Sequence, residues 1–418
     1  MKKVVVSGMI GNGLEWYDYA LYGQMAWLLA TLFFPEGDAT VALLATFGVF
    51  AAGFIVRPLG AVLFGWIGDK YGRKRAMVIA VLMMAIPTGC IGLLPTYAEI
   101  GILAPILLTL IRLTQGLSLG GEFSGSITYI VEHAPEGKRG VAGSASLISL
   151  NLGFMLGILV TQGCLHIMGE DVFTEWGWRL PFIAGIAIGL IGFYIRTHCS
   201  ESPVYEKARA ENDLSEQPLK QAFKDHPWEI IQGFFIYVTV TMPFYLIAIY
   251  FISFSKNQLG LSTADALMLN IINVTLMMLM YYPAAALSDR IGRKRVMVAA
   301  AIGIMLMIYP VFTFLTPGAS LMTIVIAMGA LALVHGAYLG PVAALLVEMF
   351  PTSVRYTGMA ITYNVSAALF GGTAPFVCEW LIKTTGTSYS IAWYVVVCCV
   401  MSLTAFYFYK DRHTGALR

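Results

Sequence analysis

Long apolar runs alternate with short polar breaks along nearly the whole chain, and runs of this length predict helices rather than strands. A bilayer core takes roughly 20 apolar residues per helix. On that ruler the first half holds spans near 4–34, 41–67, 76–95, 100–132, 141–168 and 178–197. The second half holds 228–255, 265–288, 296–315, 320–349, 354–383 and 388–409. Residues 198–227 between them are polar and charged and contain Pro203, Pro218 and Pro227. The expected organisation is an all-α membrane protein of about twelve transmembrane helices. It divides into a six-helix bundle at 1–197, a linker at 198–227 and a second six-helix bundle at 228–418.

The break at 65–75 reads Gly-Trp-Ile-Gly-Asp-Lys-Tyr-Gly-Arg-Lys-Arg, too short for anything but a tight hairpin between two spans. Its glycines let the backbone turn, and Asp69 suits a helix start. The arrangement returns at 285–295 as Ala-Ala-Leu-Ser-Asp-Arg-Ile-Gly-Arg-Lys-Arg, so Asp289 follows Asp69 by about half the chain. A second pair of matching stretches, Glu132-His-Ala-Pro before Arg139 and Glu348-Met-Phe-Pro before Arg355, keeps nearly the same spacing. A repeat of this period implies two similar halves, the layout of a transporter. It also predicts two charge clusters: Asp69, Arg73, Glu132 and Arg139 in one half, and Asp289, Arg293, Glu348 and Arg355 in the other. Their expected role is a cytoplasmic gate that holds one side shut in one state and parts in the other.

Composition agrees with a polytopic membrane protein: 58% of residues are hydrophobic and 12% charged, against about 25% charged in soluble domains. Lys2, Lys3, the 70–75 cluster, Lys138, Arg139, the linker bases, Arg290, Arg293, Arg295, Arg355 and Lys410 all fall on alternate loops. That asymmetry places both termini and the linker in the cytoplasm. Six cysteines lack CxxC or metal-ligand spacing and read as packing residues, so no metal is expected. No phosphate-binding GxxxxGK[ST] loop, HExxH or Ser/His/Asp constellation is present. ATP-driven transport and an enzyme are therefore excluded as leading readings, and no cofactor is called for beyond a proton gradient. The formal charge of +2 gives no reason to invoke nucleic acid.

Charged groups inside a helix bundle cost several kcal/mol, so each is a functional candidate. Glu15, Asp18 and Tyr22 share one face of the first span, and Arg112 and Gln115 are one turn apart in the fourth, with Glu122 further along. Arg57 lies well inside the second span, next to Pro58. A carboxylate beside an arginine stays ionised; parted from it and out of water, it takes a proton. Asp18 is the first candidate for such conditional protonation, with Arg112 as its switching partner and Glu122 second. Candidate substrate residues are Glu15, Tyr22, Arg57, Gln115, Tyr245, His335, Tyr338 and Asn364. Arginine can fork onto a carboxylate, and aromatic faces, abundant in spans one and seven, can hold an onium group.

Several of these stretches resemble the major facilitator superfamily, whose loop signature G-x-x-x-D-x-x-G-R-[RK]-x-[RK] is matched at Gly65, Asp69, Gly72, Arg73 and Lys74, with Arg75 completing the basic run. The second copy begins with Ala285 instead of Gly. More narrowly, Glu15-Trp-Tyr-Asp-Tyr, Arg57-Pro-Leu-Gly, Arg112-Leu-Thr-Gln-Gly with Gly-Gly-Glu122, and Phe370-Gly-Gly-Thr-Ala-Pro are similar to the metabolite:proton symporter family. That family includes proline/betaine, α-ketoglutarate, citrate and shikimate carriers. Phe123 and Ser124 depart from the Trp and Gly often found after the Gly-Gly-Glu. The resemblance implies the major facilitator fold, a monomer in the bacterial inner membrane, and proton-coupled uptake of a small carboxylate-bearing metabolite by rocker-switch alternation. The Asp18–Arg112 arrangement is similar to the acid and arginine of proton-coupled sugar carriers. Organic anion and proline/betaine-type zwitterion remain open as substrates. Alternatives are a proton-coupled exporter or antiporter for a siderophore or drug, and a non-transporting sensor. Ile158 after Gly157, where drug:proton antiporters carry a Gly-Pro step, weighs against export.

Overall fold

The computed structural model describes residues 2–35, 39–211 and 217–417. The long helices of the first half are α1 (Lys2–Gln24), α2 (Ala39–Lys70), α3 (Arg73–Leu93), α4 (Leu103–Glu132), α5 (Arg139–Met168) and α6 (Arg179–Thr197). Those of the second are α7 (Pro227–Asn257), α8 (Thr263–Ile291), α9 (Arg293–Phe314), α10 (Leu321–Met349), α11 (Arg355–Thr385) and α12 (Tyr389–Phe408). The all-α architecture predicted by the apolar runs is the one observed, with no strand among the described residues. Eleven helices among the described residues are long and apolar enough to cross a membrane. The exception is α1, where Asn12, Glu15 and Asp18 dilute the apolar run.

The chain separates into two compact units, Met1–His133 with Ser149–Leu219, and Ala134–Ile148 with Lys220–Arg418. The start of α5 therefore clusters with the second unit and the rest of that helix with the first. Residues 198–227 contain two short helices, Pro203–Ala210 and Pro218–Asp225.

Both hairpins turn on a glycine that no other residue replaces without strain. Gly72 has φ 108° and Gly292 has φ 104°, and each immediately precedes the first residue of the next helix, Arg73 or Arg293. A left-handed backbone there breaks the helix within two residues and brings the following arginine back over the preceding turn. Elsewhere, close helix contact fixes the depth of the buried charges. α2 and α4 meet backbone to backbone, and a Cβ on Gly116 would lie 2.9 Å from the Gly53 Cα. Small-residue contact of this kind is what draws membrane helices together, and here it holds Arg57 and Arg112 on adjacent rods.

In the second unit α7 widens into a π turn at Leu246–Tyr250. Asn270 of α8 donates its Nδ2 to the Ile247 and Ala248 carbonyls, each at 3.0 Å, satisfying groups that the wider turn frees. A second π turn at Ala367–Gly371 in α11 lets Gly371 sit against the Tyr245 ring.

Gly116→Val places branched carbons into the Gly53 backbone, an overpacking that costs about 1–3 kcal/mol or more. The expected outcome is a lower melting temperature and reduced folded yield in fluorescence-detected size-exclusion chromatography. An unchanged profile would show that α2 and α4 do not depend on this contact.

Candidate functional site

Besides the pairs at its hairpin, the first unit holds the acid–arginine pairs of Asp18, Glu122 and Glu15, which differ in how fully each acid is satisfied. Asp18 of α1 is fully buried and receives the Arg112 Nη1 from α4 on one oxygen. Its other oxygen accepts from Gln115 Nε2 at 2.9 Å and lies 3.1 Å from the Thr88 hydroxyl of α3. Gln115 also accepts from Arg112 at 2.8 Å through its carbonyl and donates to Thr88 at 2.9 Å. Thr88 has one proton to give, to Asp18 or to the Met84 carbonyl at 2.8 Å. The Arg112 guanidinium lies 3.8 Å from the centre of the Tyr22 ring, whose hydroxyl donates to the Thr46 carbonyl at 3.0 Å. The structure thus brings together Asp18, Tyr22, Arg112 and Gln115 as the sequence suggests. It adds Thr88, the one hydroxyl in the apolar run of α3.

Glu122 lies elsewhere. It forms a two-pronged pair with Arg196 from the last turn of α6, through Nη1 at 2.8 Å and through Nη2. Arg196 further donates to the Ser7 carbonyl at 3.1 Å and the Met77 carbonyl at 2.6 Å. Glu122 is therefore not a partner of Gln115 but the centre of a clamp joining α1, α3, α4 and α6. Sequence reasoning missed Arg196 because a lone arginine at the end of an apolar run reads as a topology signal.

Glu15 is the least satisfied. It is 0% exposed, its nearest cation is Arg57 Nη2 at 3.9 Å, and neither carboxylate oxygen receives a hydrogen bond. Arg57 itself reaches the Tyr19 hydroxyl at 3.4 Å and stands 5.2 Å from the Phe54 ring centre.

At the hairpins, Arg73 pairs with Asp69 at 3.1 Å and Glu132 at 3.3 Å, and donates to the Gly68 carbonyl at 2.7 Å. Glu132 also receives the Ser202 hydroxyl, and the Tyr205 ring lies 4.9 Å from the Arg73 guanidinium. In the second unit Arg293 repeats the pattern with Asp289 at 2.6 Å and Glu348 at 3.1 Å. One assignment needs correction. Arg139, grouped by the sequence with Asp69, Arg73 and Glu132, instead stands 3.8 Å from Glu348 and donates to the Gly415 carbonyl at 2.7 Å. The adjoining amides of Gly140 and Val141 donate to Asp289 at 2.8 and 3.0 Å, so this carboxylate caps the start of α5. Arg355 is fully buried and donates its Nε to the Val347 and Phe350 carbonyls.

A further repeat lies outside the signature. The Lys74 amide donates to both oxygens of Glu201 at 3.2 Å, while its Nζ reaches the Thr197 carbonyl at 2.8 Å. Lys294 does the same with Asp411 at 2.9 Å and the Tyr409 carbonyl at 2.9 Å. Each lysine closes the end of its half's last helix, and an acid beyond that helix closes the lysine's own.

The second-unit candidates are dispersed. Tyr338 uses its hydroxyl on the Ile236 carbonyl at 2.7 Å. Asn364 donates to the Ala360 carbonyl of its own helix at 2.8 Å. Tyr245 packs on Phe244, with ring centres 5.7 Å apart. His335 is fully buried, and neither ring nitrogen makes a hydrogen bond of ordinary geometry, although the Val240 backbone is its polar neighbour.

Repeated helical halves with buried ion pairs at span depth define a membrane carrier of the major facilitator fold. The fold comparison agrees: the XylE proton:xylose symporter bound to 6-bromo-6-deoxy-D-glucose superposes with a TM-score of 0.80 at 19% identity, covering 97% of this chain and 94% of that one. A partially occluded inward-open form of XylE from E. coli gives 0.71 at 18% identity, over 99% of both chains. The model of the sugar (and other) transporter family matches residues 4–232 and 206–413. The chain is 34% identical to the glycine betaine/proline/ectoine/pipecolic acid transporter OusA of Dickeya dadantii, over 100% of this chain and 85% of that protein. It is 33% identical to the proline/betaine transporter of Salmonella typhimurium, over 96% and 82%. It is 35% identical to the inner membrane metabolite transport protein YhjE of Escherichia coli K12, over 98% and 94%. The chain belongs to the sugar (and other) transporter family of the major facilitator superfamily: it is a membrane-embedded transporter and not an enzyme.

The geometry marks the Glu122–Arg196 pair as a clamp. Removing one partner of a buried pair costs about 3–5 kcal/mol, whereas replacing both with apolar groups is often neutral. Arg196→Met is expected to lower the melting temperature sharply, and Arg196→Met combined with Glu122→Leu to recover most of the loss. Equal losses in the single and double variants would contradict a structural role for the pair.

Proposed function

We propose that this transporter is a proton-coupled symporter for the uptake of a small zwitterionic metabolite of the proline/betaine type across the bacterial inner membrane. Both termini are cytoplasmic, the working unit is a monomer, and the bundles at 1–197 and 228–418 rock about the 198–227 linker to expose the site alternately. The observation that carries the reading is the buried Asp18–Arg112 pair with its Gln115 and Thr88 contacts. The names of the relatives favour the zwitterion over the organic anion.

The coupling follows from charge balance. While Asp18 is ionised, Arg112 has its counter-charge, and a substrate carboxylate brought beside them is repelled. When Asp18 takes a proton, the guanidinium is left with an uncompensated charge in a site where that costs several kcal/mol. A substrate carboxylate then replaces Asp18 on the same fork. Proton and substrate therefore stabilise each other in the site, and neither is carried alone. Tyr22 holds the guanidinium plane from below throughout, and Gln115 keeps Arg112 in register when Asp18 lets go. The clusters around Arg73 and Arg293 serve as latches that part during the cycle.

Asp18→Asn cannot trade its proton, and is expected to abolish proton-driven accumulation in proteoliposomes while sparing substrate counterflow. Luminal acidification at the wild-type rate on substrate uptake by this variant would remove Asp18 from the proton path.

A further inference from the structure

Of the five buried acids among the described residues of the first unit, Glu15, Asp18, Asp69, Glu122 and Glu132, only Glu15 lacks a hydrogen-bond donor. Asp18 and Glu122 each receive an arginine directly, whereas both Glu15 oxygens are bare and Arg57 stays at 3.9 Å. A sealed carboxylate with no donor is costly to keep, and nothing in the Asp18 network or the Glu122–Arg196 clamp uses it. Aromatic rings cluster around Arg57, its nearest cation. Trp16 and Tyr19 lie with ring centres 5.5 Å apart, and Tyr19 and Phe54 lie 5.6 Å apart, all three at least nine-tenths buried. Arg57 is turned towards Tyr19 and Phe54.

This combination has a specific chemical fit. A quaternary or secondary ammonium group is a diffuse cation that favours aromatic faces and needs an anion nearby. Small inorganic cations would instead demand several oxygen ligands at short range, and among the described residues no cluster of metal-ligating side chains is present. The spacing also suits a zwitterion. Glu15 precedes Asp18 by three residues on one face of α1, a rise of about 4.5 Å, and Asp18 marks where the Arg112 fork ends. One methylene between cation and carboxylate, as in a betaine or an α-amino acid, spans a separation of that order.

We infer that Glu15, with the ring cluster of Trp16, Tyr19 and Phe54 beside its partner Arg57, receives the positively charged nitrogen of the substrate and so selects zwitterions over plain carboxylates. The inference rests on the reading of the chain as a zwitterion symporter. It divides the labour at that site: Arg112 takes the carboxylate, Glu15 the onium end, and Arg57 holds Glu15 in place as a positioning residue.

The test uses the purified full chain in detergent and two probes of nearly equal shape, glycine betaine and 3,3-dimethylbutanoate, in which carbon replaces the charged nitrogen. Dissociation constants are measured calorimetrically for the wild type, Glu15→Gln and Trp16→Leu. The wild type is expected to prefer betaine by roughly tenfold or more. Glu15→Gln should erase that preference by weakening betaine alone, and Trp16→Leu, which leaves the carboxylate in place, should narrow it. A betaine-to-isostere ratio unchanged in both variants overturns the role of Glu15 and leaves the zwitterion reading standing. Failure of the wild type to bind either probe overturns that reading and the inference with it.

Discussion

The cost of a charge away from water governs how this bundle is put together. A bundle that places carboxylates and guanidinium groups within its spans must satisfy each of them from neighbouring helices, or reserve them for a ligand. The first unit does this in three grades. Glu122 is gripped by both prongs of Arg196, which is anchored in turn by two backbone carbonyls. Asp18 has one arginine, an amide and a hydroxyl. Glu15 has a cation only at a distance. Satisfaction falls from one acid to the next, in the order of the roles proposed for them: the first joins helices, the second is proposed to exchange partners, and the third to receive the substrate's cation.

The two halves solve the same mechanical problem with the same parts. A left-handed glycine stops one helix and starts the next, an arginine folds back onto the preceding acid, and a second acid arrives from the end of the fourth or tenth helix. The reciprocal caps of Lys74 with Glu201 and Lys294 with Asp411 extend the symmetry into segments that share no obvious motif. What the repeat preserves is the pairing of orphan helix ends with charges rather than a residue pattern. That explains how an aspartate serves in one half where a glutamate serves in the other.

The amino-acid sequence disclosed most of this because charges inside apolar runs are conspicuous. Arg112 and Gln115 could be placed together from helical spacing, Asp18 with Arg112 from the need of each buried charge for a partner, and Asp69 with Arg73 from the shortness of the hairpin. Thr88 could not: a single hydroxyl in an apolar helix normally bonds its own backbone, and its second role appears only when α1 and α4 are packed beside it. Arg196 hid for a related reason, since an arginine at a helix end is ordinarily a topology signal. Arg139 was misplaced because the repeat suggests that each half completes its own cluster, whereas residues 134–148 pack with the second unit and bring this arginine to Glu348. Spacing along a chain reports contacts within a helix well and contacts between helices only when charge demands them.

Substrate carboxylate and proton are proposed to enter the Asp18–Arg112 pair together. This is tested most directly by titrating the wild-type protein with glycine betaine calorimetrically near neutral pH in buffers of different ionisation enthalpy. The heat is expected to change with the buffer, showing net proton uptake on binding. A binding heat independent of the buffer, with binding intact, would contradict it.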